Sequence, residues 1–181
     1  MKKRTITLEV AYMLAEFTAT DVPKLFIPSM INAALLHDTI EDTPLTEEEI
    51  AIIFDRTTAT HVEGLTRVKP YGKISAEESL NLLVKQRRHE TILIKMFDRV
   101  HNMQTLGAKS PEKIKKITEE TIKSFIPFTI YLGITQIEKK LTELCYKYLP
   151  IKPFLIEKNL IAWEESSLPL FPIFQNGTYQ I

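Results

Sequence analysis

Apolar residues recur along this chain with a helical period, and almost nowhere with the alternation of a half-buried strand. Leu8, Ala11, Met13, Leu14 and Phe17 fall close to one stripe, which stops near Thr18 to Asp21 and Pro23. The next apolar run predicts a helix from about Ser29 to Asp38 that turns Ile31, Ala34 and Leu35 inward. Thr46 with Glu49 is a capping-box signature ahead of Ile50, Ile52, Ile53 and Phe54, and Ser75 with Glu78 repeats it ahead of Leu80, Leu82, Leu83 and Val84.

From Glu90 to Thr105 the chain is mostly apolar yet carries Asp98, Arg99, His101 and Asn102. Ser110 followed by Pro111 reads as an N-cap and a first-turn proline, opening a helix that carries Ile114, Ile117, Thr121, Ile122 and Phe125. Gly133 closes that region, and Thr135 with Glu138 caps a last helix with Ile137, Leu141, Leu144 and Tyr148 on one side. With only 5 glycines in the chain, the expectation is an all-α fold.

Beyond Pro150 the texture changes to proline-spaced aromatics: Pro153, Phe154, Trp163, Pro169, Phe171, Pro172 and Phe174. The reading is therefore one domain over 1–150 and a divergent tail over 151–181. In that tail a short helix is expected from about Phe154 to Glu165, and an extended segment from Leu168 to Ile181. The extended segment either lies over the domain or is an apolar strip that a protein partner covers.

Composition narrows the functional classes. Lys plus Arg and Asp plus Glu both number 23 in 181 residues, so no global field steers the chain to nucleic acid or to an anionic membrane. An anionic substrate must be held locally. The single cysteine, Cys145, excludes an internal disulfide and reads as core packing in a reducing compartment. No run approaches the roughly 18 apolar residues of a spanning helix. The basic start at Lys2, Lys3 and Arg4 is soon followed by Glu9 and Glu16, unlike a secretion signal, so a soluble cytoplasmic protein is expected.

Two stretches carry the candidate chemistry. In Leu35 to Thr43, His37 and Asp38 offer an imidazole nitrogen and a carboxylate oxygen, and Glu41 and Asp42 return one turn later if the helix continues. Four ionisable groups entered from Ala33, Ala34, Leu35 and Leu36 are expensive to bury without a metal or a solvent cavity. They read either as a cation site or as a solvated helix end. In the second stretch Asp98, Asn102 and Thr105 recur at helical spacing, so a carboxylate, an amide and a hydroxyl can share one face. The alternative is a surface pairing of Asp98 with Arg99 or Lys95.

Taken in order, these stretches resemble the HD phosphohydrolases, and in detail the RelA/SpoT family. The likeness runs from about Leu8 to Pro150. It rests on Leu8 to Ala11, Ala33 to Thr43, Val62 to Arg67, Ile92 to Leu106, Glu120 with Thr121, and Leu132 to Ile134. The resemblance implies an HD-domain helical bundle in which His37, Asp38 and Asp98 are three of four protein ligands to Mn²⁺. It implies that Glu41 and Asp42 activate and orient the attacking water, while Asn102 and Thr105 hold the ribose and phosphate. The implied reaction is hydrolysis of the 3′-pyrophosphate from guanosine tetraphosphate or pentaphosphate, with a place in the stringent response.

The chain also departs from that family. Ile6 and Thr7 stand where the family has His-Pro, and the side chain of Ile6 cannot ligate a metal. The basic helix that precedes that point in the family has no counterpart in register, and Lys113 and Lys115 are no firm replacement for its phosphate contacts. Tyr131 stands where the family places an Arg. No nucleotide-synthetase pattern follows Pro150. The alternatives are accordingly a catalytically inactive HD-domain binding or regulatory module, or a phosphohydrolase acting on a different nucleotide.

Overall fold

The computed structural model describes residues 2–21, 27–69, 72–148, 174–175 and 178–179. The fold is all-α. In chain order its helices are α1 (Lys2–Thr20), α2 (Pro28–Leu36), α3 (Thr39–Asp42), α4 (Glu47–Ile53), α5 (Arg56–Leu65), α6 (Ala76–Lys85), α7 (His89–Gln104), α8 (Pro111–Glu120), α9 (Ile126–Leu132) and α10 (Thr135–Tyr148). The chain divides into two compact units, Met1–Asp98 and Arg99–Ile181, the division falling inside α7.

In the first unit α2 packs against both α1 and α5, and α5 also receives α3 and α4. Leu14, Met30, Ile50, Leu80, Leu83, Ile92 and Met96 are fully buried. Phe17 meets Phe97 with ring centroids 5.4 Å apart. Both capping boxes form: the Thr46 and Ser75 hydroxyls accept from the backbone N–H of Glu49 and Glu78, whose carboxylates accept from the backbone N–H of Thr46 and Ser75. Each such cap contributes about 1 kcal/mol.

The inward faces differ from several expectations. Val10, Ala11, Leu14 and Thr18 form the buried face of α1, whereas Leu8 is 61% exposed. On α2 the buried residues are Ser29, Met30, Ala33 and Ala34, so Ala34 turns inward as expected and Ile31 and Leu35 do not; on α4 Ile50 is buried and Ile52 is 84% exposed. A short helix with apolar residues nearly all round has no face that its own sequence selects; the elements packed against it select one.

Two short hairpins accompany the helices: β1 (Val68–Lys69) with β2 (Gly72–Lys73), and β3 (Phe174–Gln175) with β4 (Thr178–Tyr179), the latter within the segment expected to be extended. Gly72 has φ 123°, a backbone conformation that admits glycine and few other residues. Within 151–181 the remaining expectations, including the helix over Phe154 to Glu165, lie outside the described residues.

In the second unit α8 passes through a π-helical stretch, Thr121–Phe125, into α9, and α10 packs on α8 and α9. The Thr121 hydroxyl donates to the Ile117 carbonyl at 2.7 Å. Gly133 ends α9 at φ 72°, the Ile134 N–H reaching the Thr129 carbonyl and the Gly133 N–H the Ile130 carbonyl, both at 2.9 Å. α10 begins at Thr135 itself. The Glu138 N–H bonds to the Ile134 carbonyl, so Ile134 holds the cap position expected for Thr135. Cys145 is buried with its thiol pushed up to about 12 by that burial, as core packing requires. No helix among the described residues is long and apolar enough to cross a membrane.

Candidate active site

The helix expected to run through Asp38 ends at Leu36, and His37 and Asp38 form a turn before α3. Asp38 is the N-cap residue of α3, and its carbonyl accepts the Asp42 N–H at 2.9 Å. The break separates the two halves of the HDTIED stretch onto two elements. His37 closes α2, and Glu41 and Asp42 ride on the next short helix.

His37 is buried, and its ring is held from both sides. Nδ1 lies 2.7 Å from the Ala34 carbonyl, a bond that a protonated Nδ1 donates. Nε2 then faces two carboxylates, 3.3 Å from Asp38 Oδ2 and 3.6 Å from Asp98 Oδ1. Burial is the largest single influence on the imidazole and disfavours its charge. The Asp38 hydrogen bond and the charges of Asp98 and Asp38 outweigh it, and the pKa is raised to about 9. At neutral pH the ring is an imidazolium between two carboxylates. α7 supplies Asp98 to this meeting point, and Lys95 of the same helix donates to the Leu65 carbonyl at 2.7 Å.

Glu41 is anchored to the β1–β2 region. Its Oε1 accepts the Arg67 backbone N–H at 2.6 Å, and its Oε2 lies 3.2 Å from Lys73 Nζ. Partial burial pushes its carboxyl up, but the bonds from Arg67 and Lys73 outweigh that and hold it below the usual carboxylate range. Asp42 is exposed. Neither Arg67 nor Lys73 is marked by any local signal in the sequence, because the contact joins elements distant along the chain. The Ala34 carbonyl that orients His37 is equally silent.

Asn102 and Thr105 belong to the second unit. Asn102 is half-buried on α7 and Thr105 follows the helix, its hydroxyl donating to the His101 carbonyl at 3.1 Å. Arg99 turns to Glu120, with Nη2 2.6 Å from Oε2, and lies 3.8 Å over the Phe125 ring. The side chain of Ile6 lies outside the described residues.

The donor types at His37 suit a divalent cation: an imidazole nitrogen whose other ring nitrogen is bonded to a carbonyl, facing two carboxylate oxygens. A cation bound there would take the place of the imidazolium proton. As the side chains stand, no group of three or more His, Cys, Asp or Glu donors among the described residues is disposed to hold a metal ion. His37 is the shared vertex of two close pairs, and binding would require the carboxylates to adjust around it.

The sequence profile of the HD domain family matches residues 4–135. A probable guanosine-3′,5′-bis(diphosphate) 3′-pyrophosphohydrolase of Synechocystis is 38% identical over 143 residues, which cover 72% of this chain and 19% of that protein. The guanosine-3′,5′-bis(diphosphate) 3′-pyrophosphohydrolase of Haemophilus influenzae is 34% identical over 137 residues, covering 72% of this chain and 20% of its own length. A GTP pyrophosphokinase rsh of Brucella ovis is 35% identical over 185 aligned positions, covering 94% of this chain and 24% of its own length. The chain thus spans about a fifth to a quarter of the length of these curated relatives.

Proposed function

The chain belongs to the HD domain family, among relatives of the RelA/SpoT kind, and from that footing we propose that it is a metal-dependent hydrolase of guanosine tetraphosphate or pentaphosphate. The reaction adds water across the 3′-diphosphate ester and returns GDP or GTP and pyrophosphate. The observation that carries the reading is the meeting of buried His37 with Asp38 and Asp98.

His37, Asp38 and Asp98 are the residues that would hold a Mn²⁺ ion, which when bound supplies positive charge to a phosphate oxygen and lowers the pKa of a bound water. His37 contributes Nε2, its orientation fixed by the Ala34 carbonyl. Of the acidic pair, Asp42 is assigned as the acceptor of the water proton. Glu41 is assigned to orient that water, because a carboxylate held by Arg67 and Lys73 is fixed in place and a weak base. Asn102 and Thr105 are assigned to the ribose and phosphate of the nucleotide.

The test is pyrophosphate release from guanosine tetraphosphate with Mn²⁺, comparing the chain with its Asp98→Asn variant. Turnover in the former and its loss in the latter support the proposal; equal release from both removes it. A second reading is a binding module that keeps the fold without turnover, and it is favoured by the lack of a disposed three-donor group among the described residues. Calorimetry showing guanosine tetraphosphate binding with no pyrophosphate release would select it.

A further inference from the structure

An open cavity rimmed by arginines lies in the first unit, built by residues that the proposed reaction does not use. Its volume is about 230 Å³, and Arg56, Thr57, Thr60, Arg87 and Arg88 line it together with His61 and Glu90. Arg88 is a fixed wall: it bonds Glu63 at 2.9 Å, Gln86 at 3.1 Å and the Thr60 carbonyl. Gly64 closes on it so tightly that an added Cβ would stand 3.1 Å from the guanidinium. Arg56 and Arg87 are different. Both are exposed, and neither forms an ion pair or side-chain hydrogen bond among the described residues.

The backbone at Arg87 makes this side chain conspicuous. The end of α6 is the same turn that ends α9: the Arg88 N–H reaches the Leu83 carbonyl and the Arg87 N–H the Val84 carbonyl, both at 2.9 Å. In α9 the left-handed position of that turn is Gly133, while in α6 it is Arg87 at φ 56°. A side chain is disfavoured there, and glycine would make the same turn without strain. The chain therefore carries a guanidinium beside the cavity at a position where the fold itself would be served better without one.

We infer that this cavity binds a small phosphate anion, a free mono- or diphosphate or the phosphate end of a nucleotide. Two guanidinium forks match phosphate oxygens, and the Thr57 and Thr60 hydroxyls supply further donors. The volume is below the roughly 300 Å³ at which pockets for whole drug-sized ligands begin, so the phosphate group rather than a nucleoside fills it. Glu90 opposes the anion. It acts electrostatically on His61 and His89, and burial lowers the pKa of His61, so the attraction is assigned to the arginines. The site owes nothing to the His37 cluster.

The test is calorimetric titration of inorganic pyrophosphate into the full chain in EDTA, repeated in a His37→Ala background that disables the proposed reaction site. The expected result is binding in both, weakened about tenfold by Arg87→Gly and likewise by Arg56→Gln. Arg87→Gly should melt at the same temperature or higher, because it relieves the left-handed strain. Displacement of pyrophosphate by GDP would assign the phosphate to a nucleotide, and its persistence would assign it to the free anion; both support the site. Absence of pyrophosphate binding, affinity unchanged from the parent chain in Arg87→Gly and Arg56→Gln, or loss of binding in His37→Ala alone would each overturn it. Should Arg87→Gly fail to fold, Arg56→Gln decides by itself.

Discussion

His37 Nε2 stands 3.6 Å from Asp98 Oδ1, and the Ala34 carbonyl bonded to Nδ1 fixes which nitrogen makes that approach. The pair joins the end of α2 to α7, two elements far apart in the chain. It makes the ring's protonation part of the stability of the first unit. The imidazole pKa is raised from 6.5 to about 9, so the charged ring's contribution is fully present below about 6.5 and is lost as pH rises through about 9.

Thermal melts in EDTA between about pH 6 and about pH 10 should therefore show the chain losing more stability on the alkaline side than a His37→Asn variant. The difference between the two curves isolates His37 from His61 and His89, whose pKa values are lowered mainly by burial. Parallel curves would contradict the pairing.

Glu41 should matter to the fold through its bond to the Arg67 N–H more than through its ion pair. Glu41→Ala is expected to cost about 1 kcal/mol, by leaving that N–H without its carboxylate. Lys73→Ala should stay within about 0.5 kcal/mol, since Lys73 is largely exposed. Urea unfolding of both variants checks the ranking, and an equal or larger loss at Lys73 would reverse it.

In the second unit Glu120→Ala would leave the nearly buried Arg99 guanidinium without its carboxylate. A cost of about 2–3 kcal/mol is expected, somewhat below the range for a fully buried pair because Glu120 keeps 30% of its side chain exposed. Chemical denaturation measures it, and a loss under about 0.5 kcal/mol would mean that the Phe125 ring alone holds Arg99.

Gly133→Ala should destabilise by about 1 kcal/mol, since φ 72° places a Cβ in the left-handed region. A melting temperature equal to that of the unmodified chain would count against this turn.

What the sequence made legible was local. Thr46 with Glu49 and Ser75 with Glu78 need only their own turn of helix to form, and both capping boxes are present. Cys145 is buried as read. The buried faces of α1 and α2 depart from the periodic reading at Leu8 and Leu35 because tertiary partners choose among nearly equivalent apolar stripes. The break after Leu36 has no Gly or Pro to mark it in the sequence. The approach of Asp98 to His37 could be expected only from the resemblance to a family, as helical periodicity says nothing about contacts between distant helices. Lys73 reaching Glu41 carried no signal at all.

The most direct measurement is anomalous diffraction at the manganese edge from crystals of the chain grown with Mn²⁺. The account predicts a peak at direct-ligand distance from His37 Nε2 and from carboxylate oxygens of Asp38 and Asp98. Clear density for these three side chains with no anomalous peak between them, at saturating Mn²⁺, would contradict it.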